Sequence, residues 1–312
     1  MSPSATRRKT AEPGGAAEQR IEVRKTYKLY IGGAFPRSES GRTYEVRDSH
    51  DRLLANAAMG SRKDARDAVT AARGAFAKWS SATAYNRGQV LYRVAELMEG
   101  RRSQFAAEVA AAEGLSPARA DKVVAQAIDR WVWYAGWPDK LAQVLGALNP
   151  VAGPYFNISA PEPTGVVAAL APQSSSLLGL VSVLAPIVVS GNTAVILTSE
   201  LRPLPAVTLA EVLATSDVPA GVINLITGRT AEVAPWLASH QDVNAIDLAG
   251  AAGADAVQWA DLERAGAENL KRVLRPAGEG ADAVEPDWAP TPDLTRMKAY
   301  LETKTVWHPK GR

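Results

Sequence analysis

The chain has 312 residues, 46% of them hydrophobic and 22% charged, with a formal net charge of +2. This fits one large core or two smaller ones, and the balanced charge gives no global field for nucleic acid or acidic substrates. Cysteine is absent, which excludes disulfides, thiolate metal sites and thiol nucleophiles, and His50, His240 and His308 form no pair at metal-ligand spacing.

Residues 1–25 carry the pair Arg7-Arg8 with no apolar stretch behind it. The segment fails as an export signal and reads as a disordered basic arm. No run is apolar over the ~20 residues that cross a bilayer, so no membrane span is expected and cytoplasmic residence is the default. From residue 27 the pattern alternates, and Ile31-Gly32-Gly33 between apolar segments predicts a hairpin. Ser61 followed by Asp64 predicts a capped helix that turns Val69, Ala72, Phe76 and Trp79 to a core. Val90, Leu91, Val94, Leu97 and Met98 share one face of a second helix, and Gly114 stops a third. A fourth is predicted as one long helix over 117–145. Its Trp131, Trp133, Tyr134 and Trp137 are read as core packing rather than a ligand cage, because aromatics of this size bury large areas.

The middle of the chain is the most regular. Apolar strands are predicted at 165–170, 193–197, 222–226 and 245–248, with helices between them at 177–189, 205–214 and 231–239. Strands that are apolar throughout and alternate with helices predict a parallel sheet covered on both faces, a doubly wound α/β unit. Ligands of such sheets bind beyond the C-terminal ends of the strands. After Arg275 the character changes. Residues 276–293 contain Pro276, Pro286, Pro290 and Pro292 among several acids, and read as a linker. A short helical stretch follows, then the β-branched and aromatic segment Thr303-Lys304-Thr305-Val306-Trp307.

Taken together, the segments "YKLYIGGAF", "WVWYAGWPDKL", "APEPTGVVAALAP", "SGNTAVILTSE", "DVPAGVINLITG" and "AENLKRV" resemble the aldehyde dehydrogenase superfamily, in its order, and the tail "YLETKTVW" resembles the segment that ends many members. The resemblance covers about 27–274 and again about 294–309. It implies a Rossmann-like cofactor-binding domain over 26–275 that includes a hairpin at 150–163. It also implies an oligomerisation segment at 294–312, in which the tail strand joins the hairpin in a small antiparallel sheet. Family members use a thiol nucleophile, a Glu general base, an Asn in the oxyanion hole and NAD or NADP as hydride acceptor.

Carried onto this chain, the resemblance leaves no catalytic residue in place. No cysteine is present to attack a carbonyl; Ser174 stands at the oxyanion Asn position and Pro276 at the general-base position. The linker at 276–293 then replaces the family's catalytic domain. The cofactor elements are reduced to vestiges at Pro172, Gln173, Ser174, Leu197, Ser199, Glu200, Gly228 and Gly250. Leu197 stands where a Lys contacts the adenosine ribose, while Glu200 retains a carboxylate for ribose hydroxyls. Gly228 and Gly250 either hold an anion at backbone N–H groups or serve only strand-to-helix turns. Ser174, Ser175 or Ser176 is also placed to cap the following helix.

What the resemblance keeps is the assembly apparatus: Tyr155, Phe156 and Ile158 on the hairpin, and Lys304, Thr305, Val306 and Trp307 on the tail. The expectation is therefore a catalytically inactive subunit that assembles with a full-length aldehyde dehydrogenase, stabilising or regulating it, or that self-associates. No metal and no resident cofactor are expected, with NAD or NADP bound weakly at most. The alternatives are a residual NAD(P)-binding sensor and an enzyme of altered chemistry using Ser174, beside which no base is evident. Without a catalytic domain, the α/β unit is expected to expose an apolar face.

Overall fold

The computed structural model describes residues 25–254, 257–278 and 282–311. The basic arm expected over 1–25 lies outside the described residues except for Lys25. Three short strands, β1 (Thr26–Tyr27), β2 (Thr43–Arg47) and β3 (Leu53–Ala58), form a sheet of order β1-β3-β2. The predicted turn is present: Ile31 bridges Ala34, with φ of 60° and 80° at Gly32 and Gly33, a conformation glycine adopts without steric strain.

Helix α1 (Arg62–Ser81) begins at the predicted capping box, in which the Ser61 hydroxyl accepts from the Asp64 amide and the Asp64 carboxylate accepts from the Ser61 amide. Its Val69, Ala72 and Trp79 are buried, while Phe76 stays half-buried with the Arg73 guanidinium 5.7 Å from its ring. Helices α2 (Ala84–Gly100), α3 (Arg102–Glu113) and α4 (Pro117–Ala135) follow. The helix predicted as continuous over 117–145 is in fact two, because α4 is capped at Gly136 and α5 (Leu141–Leu145) starts after a turn. Pro138 disfavours helical backbone at Trp137 and has no N–H to extend the ladder. Trp131 and Tyr134 are core residues as expected, and the half-buried Trp133 and Trp137 stack with ring centroids 5.3 Å apart.

Beyond β4 (Ala147–Asn149) and β5 (Tyr155–Pro163) the chain alternates strand and helix. In order these are β6 (Val166–Leu170), α6 (Leu178–Val189), β7 (Thr193–Leu197), α7 (Leu204–Thr215), β8 (Ile223–Ile226), α8 (Thr230–Ser239), β9 (Ala245–Asp247), α9 (Trp259–Ala267) and β10 (Arg272–Leu274). They make a five-stranded sheet of order β10-β9-β6-β7-β8 with every pair parallel. Every residue of β6, β7 and β8 is buried, as both-faced helix cover requires. Strand β10 is not predicted, since three residues opening on an exposed Arg272 carry no periodic signal. The chain winds from β6 to β8 on one side and then crosses to β9 and β10, so the order reverses between β6 and β9. At such a reversal an open α/β sheet has its crevice, outside the strands' C-terminal ends.

The tail is part of the fold. Helix α10 (Thr295–Ala299) packs on α6, and β11 (Leu301–Pro309) pairs antiparallel with β5 residue for residue, from Leu301 opposite Pro163 to Pro309 opposite Tyr155. With β4 this completes the expected small sheet, order β11-β5-β4, its hairpin starting at Ala147 rather than at residue 150. Within the segment predicted as a linker, Trp288 is buried, and with Met297 of α10 it joins the core cluster of α4 and α6 where an uncovered apolar face is expected. Among the described residues no helix is long and apolar enough to cross a membrane.

Candidate functional site

The loops 171–176, 198–202 and 248–254 follow β6, β7 and β9 at the C-terminal end of the sheet, where the strand order reverses. The first of these turns the chain into α6. The N-cap of α6 is Leu177, and the Ser175 hydroxyl just before it accepts from the Gly179 amide in the first turn at 2.9 Å. The Ser176 amide and hydroxyl both donate to Glu113, each at 2.7 Å. Gln173 stitches this loop to the one after β7: its Nε2 donates to the Ala171 carbonyl at 3.1 Å, and its Oε1 accepts from the Glu200 amide at 2.8 Å and the Ser199 hydroxyl at 3.3 Å. Pro172 packs against Gly179 on the same turn.

Ser174 does not cap the helix. Its hydroxyl, its amide at 3.1 Å and the Gln173 amide all donate to one carboxylate, that of Glu285. Arg202 in turn donates to the Ser174 carbonyl. No base is evident beside Ser174 in the sequence, and Glu285 corrects that from within the segment read as a linker. Pro276, at the general-base position, is buried and offers no acid or base.

On the ribose side, Leu197 is 1% exposed and turns no polar side chain to the crevice. The Glu200 carboxylate is bonded on both oxygens: one pairs with Arg229 at 2.6 Å, and the other accepts from the Thr230 amide, in the first turn of α8, at 2.8 Å. The hydrogen bond that Arg229 donates to Glu200 raises the Arg229 pKa, and burial raises that of Tyr44 beside it. Tyr44, Arg47, Glu200, Arg202 and Arg229 line a hollow of about 340 Å³. Gly228, at φ 151°, lies so close to Gly60 that a Cβ would stand 2.9 Å from the Gly60 nitrogen, and a Cβ on Gly250 would collide with the Ala171 carbonyl. Both glycines therefore serve close backbone packing at strand-to-helix turns. Of the positions predicted for a cofactor, Gln173, Ser174 and Glu200 turn their polar groups to other groups of the chain itself.

Sequence reasoning missed the residues that hold the tail. Asp247, fully buried on β9, accepts from Arg296 and from the Tyr300 hydroxyl at 2.7 Å, and its other oxygen accepts from the Ala249 amide at 2.9 Å. Burial drives the Tyr300 phenol well above its usual range; for Arg296 burial is the largest single influence and opposes the charge, but Asp247, Tyr300 and Tyr134 together raise its pKa. Arg296 also lies 4.9 Å from the Trp288 ring, and Arg130 on α4 donates to Ser182 at 2.5 Å and to the Pro290 carbonyl at 2.7 Å. One signal for this cluster stood in the sequence: an acid in the otherwise apolar stretch Ala245-Ile246-Asp247-Leu248 demands a buried cation. Among the described residues no group of His, Asp and Glu converges as a metal site.

The small sheet is different in kind. Leu148, Ile158 and Val306 lie side by side across its three strands, 67%, 47% and 48% exposed. On the other face Trp307, 58% exposed, meets Tyr155 edge-on with ring centroids 5.8 Å apart. Phe156 is exposed as well, with Lys310 5.1 Å from its ring. Thr305 bonds Ser159 at 2.9 Å and Lys304 pairs with Glu162 at 3.0 Å. Every residue predicted for the oligomerisation strands is thus brought to this sheet.

The profile of the aldehyde dehydrogenase family matches residues 35–287, past residue 275, where the motif-by-motif resemblance ends. An aldehyde dehydrogenase of Enchytraeus buchholzi is 33% identical over 268 residues, 83% of this chain and 52% of that protein. Retinal dehydrogenase 2 of Gallus gallus is 32% identical over 263 residues, 83% of this chain and 49% of its own length. Among solved structures, the NAD+ complex of an aldehyde dehydrogenase from Bacillus cereus matches with a TM-score of 0.75 at 26% identity, over 81% of this chain and 51% of that one. HpcC from Thermus thermophilus matches with a TM-score of 0.74 at 29% identity, over 81% and 48%. The chain spans about half the length of these relatives.

Proposed function

The chain belongs to the aldehyde dehydrogenase family, and we propose that it serves there as a catalytically inactive subunit. In this reading it assembles through its small sheet with a full-length family member, which it stabilises or regulates. The observation that carries the reading is the sheet β11-β5-β4 itself. Its edge strand β11 is nine residues long and pairs on one side only, to β5, while Leu148, Phe156, Ile158, Val306 and Trp307 are exposed. A long edge with an apolar surface is an association surface or an aggregation hazard. In this reading the partner is a full-length member of the family, whose fold this chain shares over about half of that protein's length.

The inactive part of the reading rests on composition and on the crevice. No cysteine is present to form a thiohemiacetal, and Pro276 stands at the general-base position. The engagement of Glu200 with Arg229, and of the 173–174 amides with Glu285, supports a chain without a resident cofactor and disfavours the NAD(P)-sensor alternative. Co-expression with a tagged full-length aldehyde dehydrogenase from the same cell tests the proposal. The expected result is co-purification at fixed stoichiometry, lost on deleting residues 303–309, with no aldehyde oxidation by this chain alone. A chain that stays monomeric beside the relative, or that oxidises aldehydes unaided, overturns it.

A further inference from the structure

The oxyanion position of the family is not empty of charge in this chain. Three donors, the Gln173 amide, the Ser174 amide and the Ser174 hydroxyl, converge on the two oxygens of Glu285. Gly253 walls the other side, where a Cβ would collide with Glu285 Oε1, and the Arg202 guanidinium donates to the Ser174 carbonyl between this point and the arginine-lined hollow. Donors aimed at one point beside a cation make a receptor for a small oxyanion. It sits at the reversal of strand order, between β6 and β9, where ligands of open α/β sheets bind.

The segment that carries Glu285 is positioned without it. Ala277 and Val284 pair through both backbone bonds, at 3.0 and 2.7 Å. On the other side Trp288 is buried against the core, and the Pro290 carbonyl accepts from Arg130 at 2.7 Å. Anchors on both flanks hold the carboxylate over the donors, so its local concentration there is in the millimolar range or above. We propose that Glu285 is an autoinhibitory internal ligand: it occupies an oxyanion receptor at the β6–β9 crevice and competes with external oxyanions for it. This regulation of the crevice is independent of assembly through the small sheet, and each can fail without the other.

The test titrates the full chain, as wild type, Glu285→Gln and Glu285→Ala, with inorganic phosphate and separately with acetate, by calorimetry at constant ionic strength. Losing a competitor held by charge-assisted hydrogen bonds is expected to tighten binding by about tenfold or more in Glu285→Ala, with a smaller gain in Glu285→Gln. A tighter phosphate arm identifies a phosphate-bearing ligand, and a tighter acetate arm a carboxylate. Adding Ser174→Ala to Glu285→Ala is expected to reverse most of the gain. Amide exchange gives a second readout: Gln173 and Ser174 are expected to exchange faster in Glu285→Ala and to slow again when the anion is added. Where Glu285→Ala does not fold, Glu285→Gln, which keeps the side chain's shape, carries the same comparison. Equal anion affinity in wild type and variants, including no binding in any of them, overturns the proposal and leaves Glu285 as a structural tie.

Discussion

The crevice between β6 and β9 and the small sheet β11-β5-β4 lie in one chain and solve opposite problems. In the crevice, groups that would face a ligand face each other: Glu200 holds Arg229 and the start of α8, Gln173 holds two loops together, and Glu285 gathers the donors around Ser174. On the small sheet the backbone is paired along β5, but the rings and branched side chains point to solvent. Polar satisfaction inside a crevice favours a stable fold that needs no ligand, whereas uncovered apolar surface favours association. The difference teaches where each kind of variant should act: substitutions around the crevice and the tail's anchors should cost folding stability, and those on the small sheet should cost assembly.

The largest expected effect lies at Asp247. Removing one member of a buried charge pair leaves the other uncompensated, so Asp247→Ala should lower unfolding free energy by about 3–5 kcal/mol in urea titration. Pairing it with Arg296→Met should recover part of that loss, because the orphaned cation is then gone as well. Trp288→Ala comes next, at about 3 kcal/mol, and hydrogen exchange should localise the loss to residues 282–300. Trp307→Asp should leave the isolated chain within about 1 kcal/mol of wild type while the light-scattering mass of its complex falls to that of the separate components. Lys304→Ala should be the smallest, within about 0.5 kcal/mol, since both it and Glu162 are more than half exposed. Unfolding by Trp307→Asp on the scale of Asp247→Ala would erase the distinction between the two regions.

The parallel sheet was legible because its strands are unbroken apolar runs: all of β6 and β7 is buried, and their predicted ends fall within a residue of those observed. The capping box of α1 was legible for the same reason, since Ser61 and Asp64 act over three residues of sequence. What stayed hidden depends on distance along the chain. Glu285 meets Ser174 across 111 residues and Tyr300 meets Asp247 across 53, contacts to which no local periodicity points. The proline-rich composition of 276–293 correctly excludes a long helix, but a strap fixed by Trp288 and single polar contacts needs no regular structure. The break between α4 and α5 was readable at Gly136-Trp137-Pro138 and was outweighed by the apolar pattern on either side. That Glu200 and Ser174 would be held by partners from the chain itself was not legible, since Arg229 and Glu285 lie far off in sequence.

Hydrogen exchange of this chain, alone and mixed with a full-length aldehyde dehydrogenase from the same cell, tests the central claim most directly. The account predicts new protection on mixing at residues 155–158 and 303–309, with no change at 173–176 and 198–202. Protection confined to the crevice loops, with the small sheet unchanged, would contradict it.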